Sequence, residues 1–262
     1  MEKRTPATLV HRFRRVCVRA VPILCLAVAA SAAVPPAKAP VDFVRSRAAG
    51  HDVLLLGTRH RQPAILGFVE GLLPALRAAG FTHVGLEIGS DQQARIDGFM
   101  ATRRGLEDIA LHPQIDCAAY RGLLAGLRSS GLSVLAIDRP ADAVAAPPSR
   151  DRYMARRVAA LFREHPGARL VVVVGNLHTL KRYPWQAPTV KDTGLRPALA
   201  ALRPDLRIVS IAQWTGPEPL APPAPRPLAL VTDGLDTAPA FLAPAALAPL
   251  SAAAAVDGLI LH

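Results

Sequence analysis

The sequence predicts an α/β fold with a mostly parallel sheet flanked by helices on both faces, and two observations predict it. Short apolar runs alternate with segments of helical periodicity, and the runs are β-branched and continuous rather than alternating, as in "RLVVVVG". A strand buried on both faces has no solvent side to keep polar, and strand–helix alternation is the pattern of parallel strands joined by crossover helices.

Taken in order, "DVLLLG" (52–57) is a strand, and "AILGFVEGLLPALRAAG" (64–80) is a helix that ends in glycine. "HVGLEI" (83–88) is the next strand, followed by the helix "SDQQARIDGFMATRRG", capped by Ser90 or Asp91. "CAAYRGLLAGLRSSG" (117–131) is helical, "SVLAID" (133–138) a strand, and "RDRYMARRVAALFREH" (150–165) a helix. "RLVVVVG" (169–175) and "RIVSIAQ" (207–213) complete the strands of the α/β domain, which spans 51–215. Residues 33–50 read as a linker. The segment 216–262 is rich in proline and alanine, and its "PLALVTDG" and "DGLILH" are edge-strand candidates.

The formal charge of +11 suggests nucleic acid, but much of it is local. Within residues 1–32, six Lys and Arg stand against Glu2, a net +5, which leaves 11 − 5 = +6 for the rest. That remainder is scattered arginine without interleaved aromatics, so no nucleic-acid partner is expected. The same 32 residues read as an export signal. They offer a basic start, the apolar core "VPILCLAVAASAAV" and an Ala30-Ser31-Ala32 cleavage site. A periplasmic or envelope-associated protein follows, touching the membrane transiently through the signal, or anchored by it if the signal is uncleaved. Cys17 and Cys25 fall inside the signal, so the mature chain keeps Cys117 alone, and neither a disulfide framework nor a thiolate metal cluster forms within one chain.

Ligands of open α/β sheets bind beyond the carboxyl ends of the strands. His60 follows "DVLLLG", Glu87 lies near the end of "HVGLEI", Asp138 ends "SVLAID" and His178 follows "VVVVG". If these strands are parallel, all four groups meet at one rim, with Gly57 and Gly175 each three residues before a histidine. Two imidazoles and a carboxylate (His60, Glu87, His178) suit a catalytic divalent transition metal with open positions for water. Without metal they suit acid–base work, one histidine as base and the carboxylate fixing its tautomer. Arg139 or Arg150 is placed to stabilise an oxyanion. A charge at Glu87, within an apolar strand, needs a partner.

The ordered motifs "GTRH", "GLEIGSDQQARIDGF", "LRSSGLSVLAIDRP", "RDRYMARRVAAL" and "VVVVGNLH" resemble the superfamily of ChaN-like haem-binding uptake proteins. That superfamily includes the Tiki/TraB proteases and the erythromycin esterases. The resemblance covers roughly residues 50–180 and implies an α/β domain with its site at the carboxyl edge. Thr58 after the first glycine matches the Tiki and TraB pattern, whereas the two middle helices look more like ChaN. By resemblance to Tiki-type members, His60, Glu87 and His178 form a metal-dependent hydrolytic site. By resemblance to the esterases, His60 and Glu87 are catalytic, with Arg150 and Asp151 near the pocket. By resemblance to ChaN, haem is held between two protomers; the resemblance assigns no ligand, and Tyr120, Tyr153 and Tyr183 are candidates outside any shared motif. The leading expectation is therefore a metal-dependent hydrolase of an ester or amide in a small molecule or peptide; the alternative is a haem or iron-complex binder without catalysis, dimeric in the ChaN manner.

Overall fold

Both faces of the strands are apolar, and both are covered. In the computed structural model, which describes residues 39–143, 148–183, 194–215, 228–232 and 250–262, Leu54 and Leu56 of β1 (Val53–Thr58) point to one core while Val53 and Leu55 point to the other. The valine run divides the same way in β4 (Leu170–Gly175): Val171 and Val173 join the first core, Val172 and Val174 the second. This period of two explains why the run is continuous, since each neighbouring side chain meets a different helix layer. Each such Val or Leu contributes about 1.5–3 kcal/mol on burial.

The first core is roofed by α1 (Pro40–Ala48), α2 (Pro63–Ala78), α3 (Gln93–Thr102) and α4 (Ala118–Ser130). The second is closed by α5 (Arg150–Glu164) and α6 (Leu195–Leu202) through Met154, Val158, Phe162 and Leu199. The remaining strands are β2 (His83–Gly89), β3 (Ser133–Asp138), β5 (Ile208–Trp214), β6 (Leu228–Val231) and β7 (Gly258–Leu261), with the single-turn α7 (Ala252–Ala255) before β7. Among the described residues they form one sheet in the order β3-β2-β4-β1-β5-β7-β6. Every neighbouring pair is parallel except β6–β7. The predicted α/β class is therefore the observed one.

Three expectations change. The stretch 33–50 contains a helix, α1, whose Phe43, Val44 and Ala48 are buried; the Phe43 ring fills the space beside Gly258 that a side chain would occupy. "DGLILH" is no edge: β7 lies between β5 and β6, because its Leu259 and Ile260 are apolar on both sides and both are buried. The helix after β2 begins at Gln93, preceded by a 3-10 turn over Ser90–Gln92, and neither Ser90 nor Asp91 caps it. Residues 1–32, expected to be an export signal, and the proline-rich 216–227 lie outside the described residues.

Candidate active site

Parallel pairing places the four polar strand ends at one rim. β1 and β4 are in register through Thr58↔Gly175, so the turns carrying His60 and His178 leave the sheet side by side. His178 sits on a 3-10 turn, Asn176–Thr179. Glu87 is aimed by an irregularity in β2: Leu86 pairs with Ala136 but Gly89 pairs with Asp138, an extra residue on β2. Bulges of this kind re-aim a side chain at the end of a ladder.

Glu87 is 3% exposed, so its charge must be met within the protein. Its Oε2 accepts the Gly175 N–H at 2.8 Å, and its Oε1 accepts from Nη2 of Arg150 at 2.5 Å. Nε2 of His178 lies 3.5 Å from the same Oε1. Burial opposes ionisation of Glu87, but contact with His178 and the charge of Arg150 overcome it and hold the carboxyl far below its ordinary range. Arg150 also donates to Asp138, from Nε to Oδ1 and Oδ2 at 3.0 Å and from Nη2 to Oδ2 at 2.5 Å. Asp138, placed at the rim by its strand, is thus a buried member of the cluster.

His178 donates from Nδ1 to Oδ1 of Asp151 at 2.5 Å. Burial lowers its pKa, but Asp151 and Glu87 more than offset that and raise it to about 10. At neutral pH His178 is an imidazolium with both N–H groups directed at carboxylates, and it cannot act as a base. Asp151 lies in the first turn of α5, where the helix dipole favours its charge. His60 is held differently. Its ring packs on Gly175, where a Cβ would stand 3.1 Å from Nε2 and 3.6 Å from Cδ2 of His178. All five predicted site residues therefore converge: His60, Glu87, His178, Arg150 and Asp151.

The same geometry does not fit a metal. Glu87 already accepts from a guanidinium and a backbone N–H, and His178 is committed through both nitrogens to carboxylates. A divalent cation at Glu87 would also stand beside the Arg150 charge. Among the described residues, no group of three His, Cys, Asp or Glu side chains is placed to hold a metal ion. The expectation of a His60, Glu87, His178 metal centre finds no support among the described residues: sequence order showed which groups meet, but not that Arg150 would take the carboxylate.

A cleft of about 260 Å³ opens on the β2–β3 side of the cluster, lined by Glu87, Asp138, Arg139 and Arg150 and by the apolar Leu111 and Pro113. Arg150 reaches it with Nη1 uncommitted among the described residues. Arg139 lines the same cleft and donates from Nη1 to the Pro148 carbonyl at 3.1 Å. Of the tyrosines, Tyr120 is buried at 4% exposure, Tyr153 shares a 2.6 Å hydrogen bond with Ser90, and Tyr183 donates to the Leu177 carbonyl. Sequence reading missed Asn176 and Gln213, which are buried at this rim; the polar residue directly after Gly175 in "GNLH" was the available signal.

No protein-family model matches the chain, and no curated protein matches it in sequence. Solved structures do match it in shape. A Bacillus cereus protein aligns at TM-score 0.58 and 12% identity, over 84% of this chain and 90% of its own. The erythromycin esterase EreC, in an open conformation, aligns at TM-score 0.63 and 13% identity, over 84% and 92%. ChaN of Campylobacter jejuni, with cofacially bound haem, aligns at TM-score 0.52 and 12% identity, over 84% and 90%. Identities this low carry the fold alone: this chain shares the fold of the EreC, ChaN and Bacillus cereus structures.

Proposed function

We propose that the protein is an exported hydrolase, cleaving an ester or amide bond of a small molecule or peptide with His60 as general base and no resident metal. The observation that carries this reading is the division of labour between the two imidazoles. His178 is locked as a cation between Asp151 and Glu87, whereas the His60 ring is packed on Gly175 without a carboxylate on either nitrogen among the described residues. In the proposed reaction His60 takes a proton from water, the hydroxide adds to the substrate carbonyl, and the resulting oxyanion is stabilised by Arg150 from the cleft. The carbonyl re-forms as the bond to the leaving group breaks, and the leaving group recovers the proton from His60. Glu87 and Asp138 keep the guanidinium in place, so no reorganisation is needed when charge develops. Export rests on the signal-like residues 1–32.

The test is a screen of esters and amides with chelator-treated protein, erythromycin included because EreC is an esterase of that compound. Turnover that survives chelation and falls by 10²–10⁴-fold in His60→Ala is expected. Activity lost on chelation and restored by a divalent ion would overturn the metal-free assignment. The second reading, a haem or iron-complex binder of the envelope, has the likeness to haem-bound ChaN in its support. A Soret band on adding haemin, abolished by Tyr120→Phe or Tyr153→Phe and without accompanying hydrolysis, would replace the hydrolase reading with that one.

A further inference from the structure

Where β1 and β5 stop pairing, two carboxamides take over from the backbone. The ladder between these strands is in register up to Leu56↔Ile211. Beyond that point Asn176, from the turn after β4, reaches across β1. Its Nδ2 donates to the Gln213 carbonyl at 2.7 Å, and its Oδ1 accepts the Gln213 N–H at 3.0 Å. The Gln213 side chain donates from Nε2 to the Gly57 carbonyl at 2.9 Å, and its Oε1 lies 3.0 Å from Nε2 of His262, just past β7. Asn176 is 7% exposed and Gln213 fully buried, so each bond lost would strand a polar group away from solvent.

The path over β1 exists because residue 57 is glycine. A Cβ there would fall onto Oδ1 of Asn176 and within 3.2 Å of its Cα. Gly175 makes the corresponding space for His60. The glycine of each G-x-x-H turn thus accommodates a side chain of the other turn.

We infer that Asn176 and Gln213 are positioning residues, a carboxamide clasp that fixes the His60 turn against the His178 turn. The inference deepens the hydrolytic reading and rests on it only for its kinetic arm. Four variants test it: Asn176→Ala, Gly57→Ala, their double variant, and Leu72→Ala as a core control on α2. Each is followed by side-chain ¹H–¹⁵N spectra of the histidine imidazoles, by thermal unfolding, and by kcat and KM on p-nitrophenyl acetate. Asn176→Ala and Gly57→Ala are expected to displace the His60 and His178 resonances. The double variant should show less than the sum of the two single shifts, because both substitutions release the same clasp. Leu72→Ala should lower Tm without moving those resonances. The kinetic expectation is a kcat reduced tenfold or more with KM within twofold, since a misplacement near 1 Å costs on the order of 10²-fold. Imidazole resonances unmoved in Asn176→Ala and Gly57→Ala, with Tm lowered as in Leu72→Ala, would overturn the inference and leave the clasp merely structural. An inactive wild type would defeat the hydrolytic reading, while the spectra would still decide the clasp.

Discussion

Raising the pH from 6.5 toward 10 should remove a stabilisation that belongs to His178. The side chain is 16% exposed, with Asp151 at 2.5 Å and Glu87 at 3.5 Å. Those two carboxylates outweigh burial and raise its pKa to about 10, against about 6.5 for an unfolded histidine. Between these values the folded protein keeps a proton that the unfolded chain has lost. Stability therefore falls as pH rises, by about 1.4 kcal/mol per pH unit for one proton. The contribution is whole below pH 6.5 and gone above about pH 10. Across the full window it amounts to as much as ~5 kcal/mol, comparable with the entire net stability of a small domain. Urea unfolding at intervals of one pH unit from 6.5 to 9.5 measures it, with His178→Gln as reference so that other titrating groups cancel. The stability difference between wild type and variant should shrink by about 1 kcal/mol at each step, since the limiting slope is not reached near either pKa. Parallel curves would refute an imidazolium between Asp151 and Glu87, and with it the assignment of His60 rather than His178 as the base.

Two further perturbations probe the same cluster. Arg150→Met leaves Glu87 and Asp138 buried without their cation, which should destabilise the fold by about 3–5 kcal/mol at pH 7. Glu87, whose pKa is held low in the folded protein, stabilises above the ordinary carboxylate range and loses that contribution as pH falls. The deficit of Arg150→Met should accordingly hold from pH 7 to about 4.5 and narrow only as pH falls below that in denaturant titrations, and a variant as stable as wild type at pH 7 would sink the idea. Gly175→Ala places a methyl group 3.1 Å from Nε2 of His60, so hydrolysis should fall at least tenfold while Tm changes little. Unaltered turnover would show that the ring is not held where catalysis needs it.

The sheet and most of its elements were legible in the chain itself. Period-two burial on both faces imposes an uninterrupted apolar run, so "VVVVG" and "DVLLLG" announce buried parallel strands whatever surrounds them. Parallel strands then place His60, Glu87 and His178 at one edge, which is why these three could be named together before any geometry was known. The lone carboxylate in "VGLEI" likewise announced a partner, since a buried charge cannot stand alone. What tertiary structure decided was which partner. Arg150 lies 63 residues from Glu87, and only the packing of α5 over the sheet turns Glu87 from a metal ligand into the anion of an Arg–Glu–His cluster. The protonation of His178 is likewise a property of two carboxylates that reach it from other elements. The reason is one of range. Periodicity and turn chemistry act between neighbours in sequence, whereas electrostatic pairing depends on distances set only once the layers have closed.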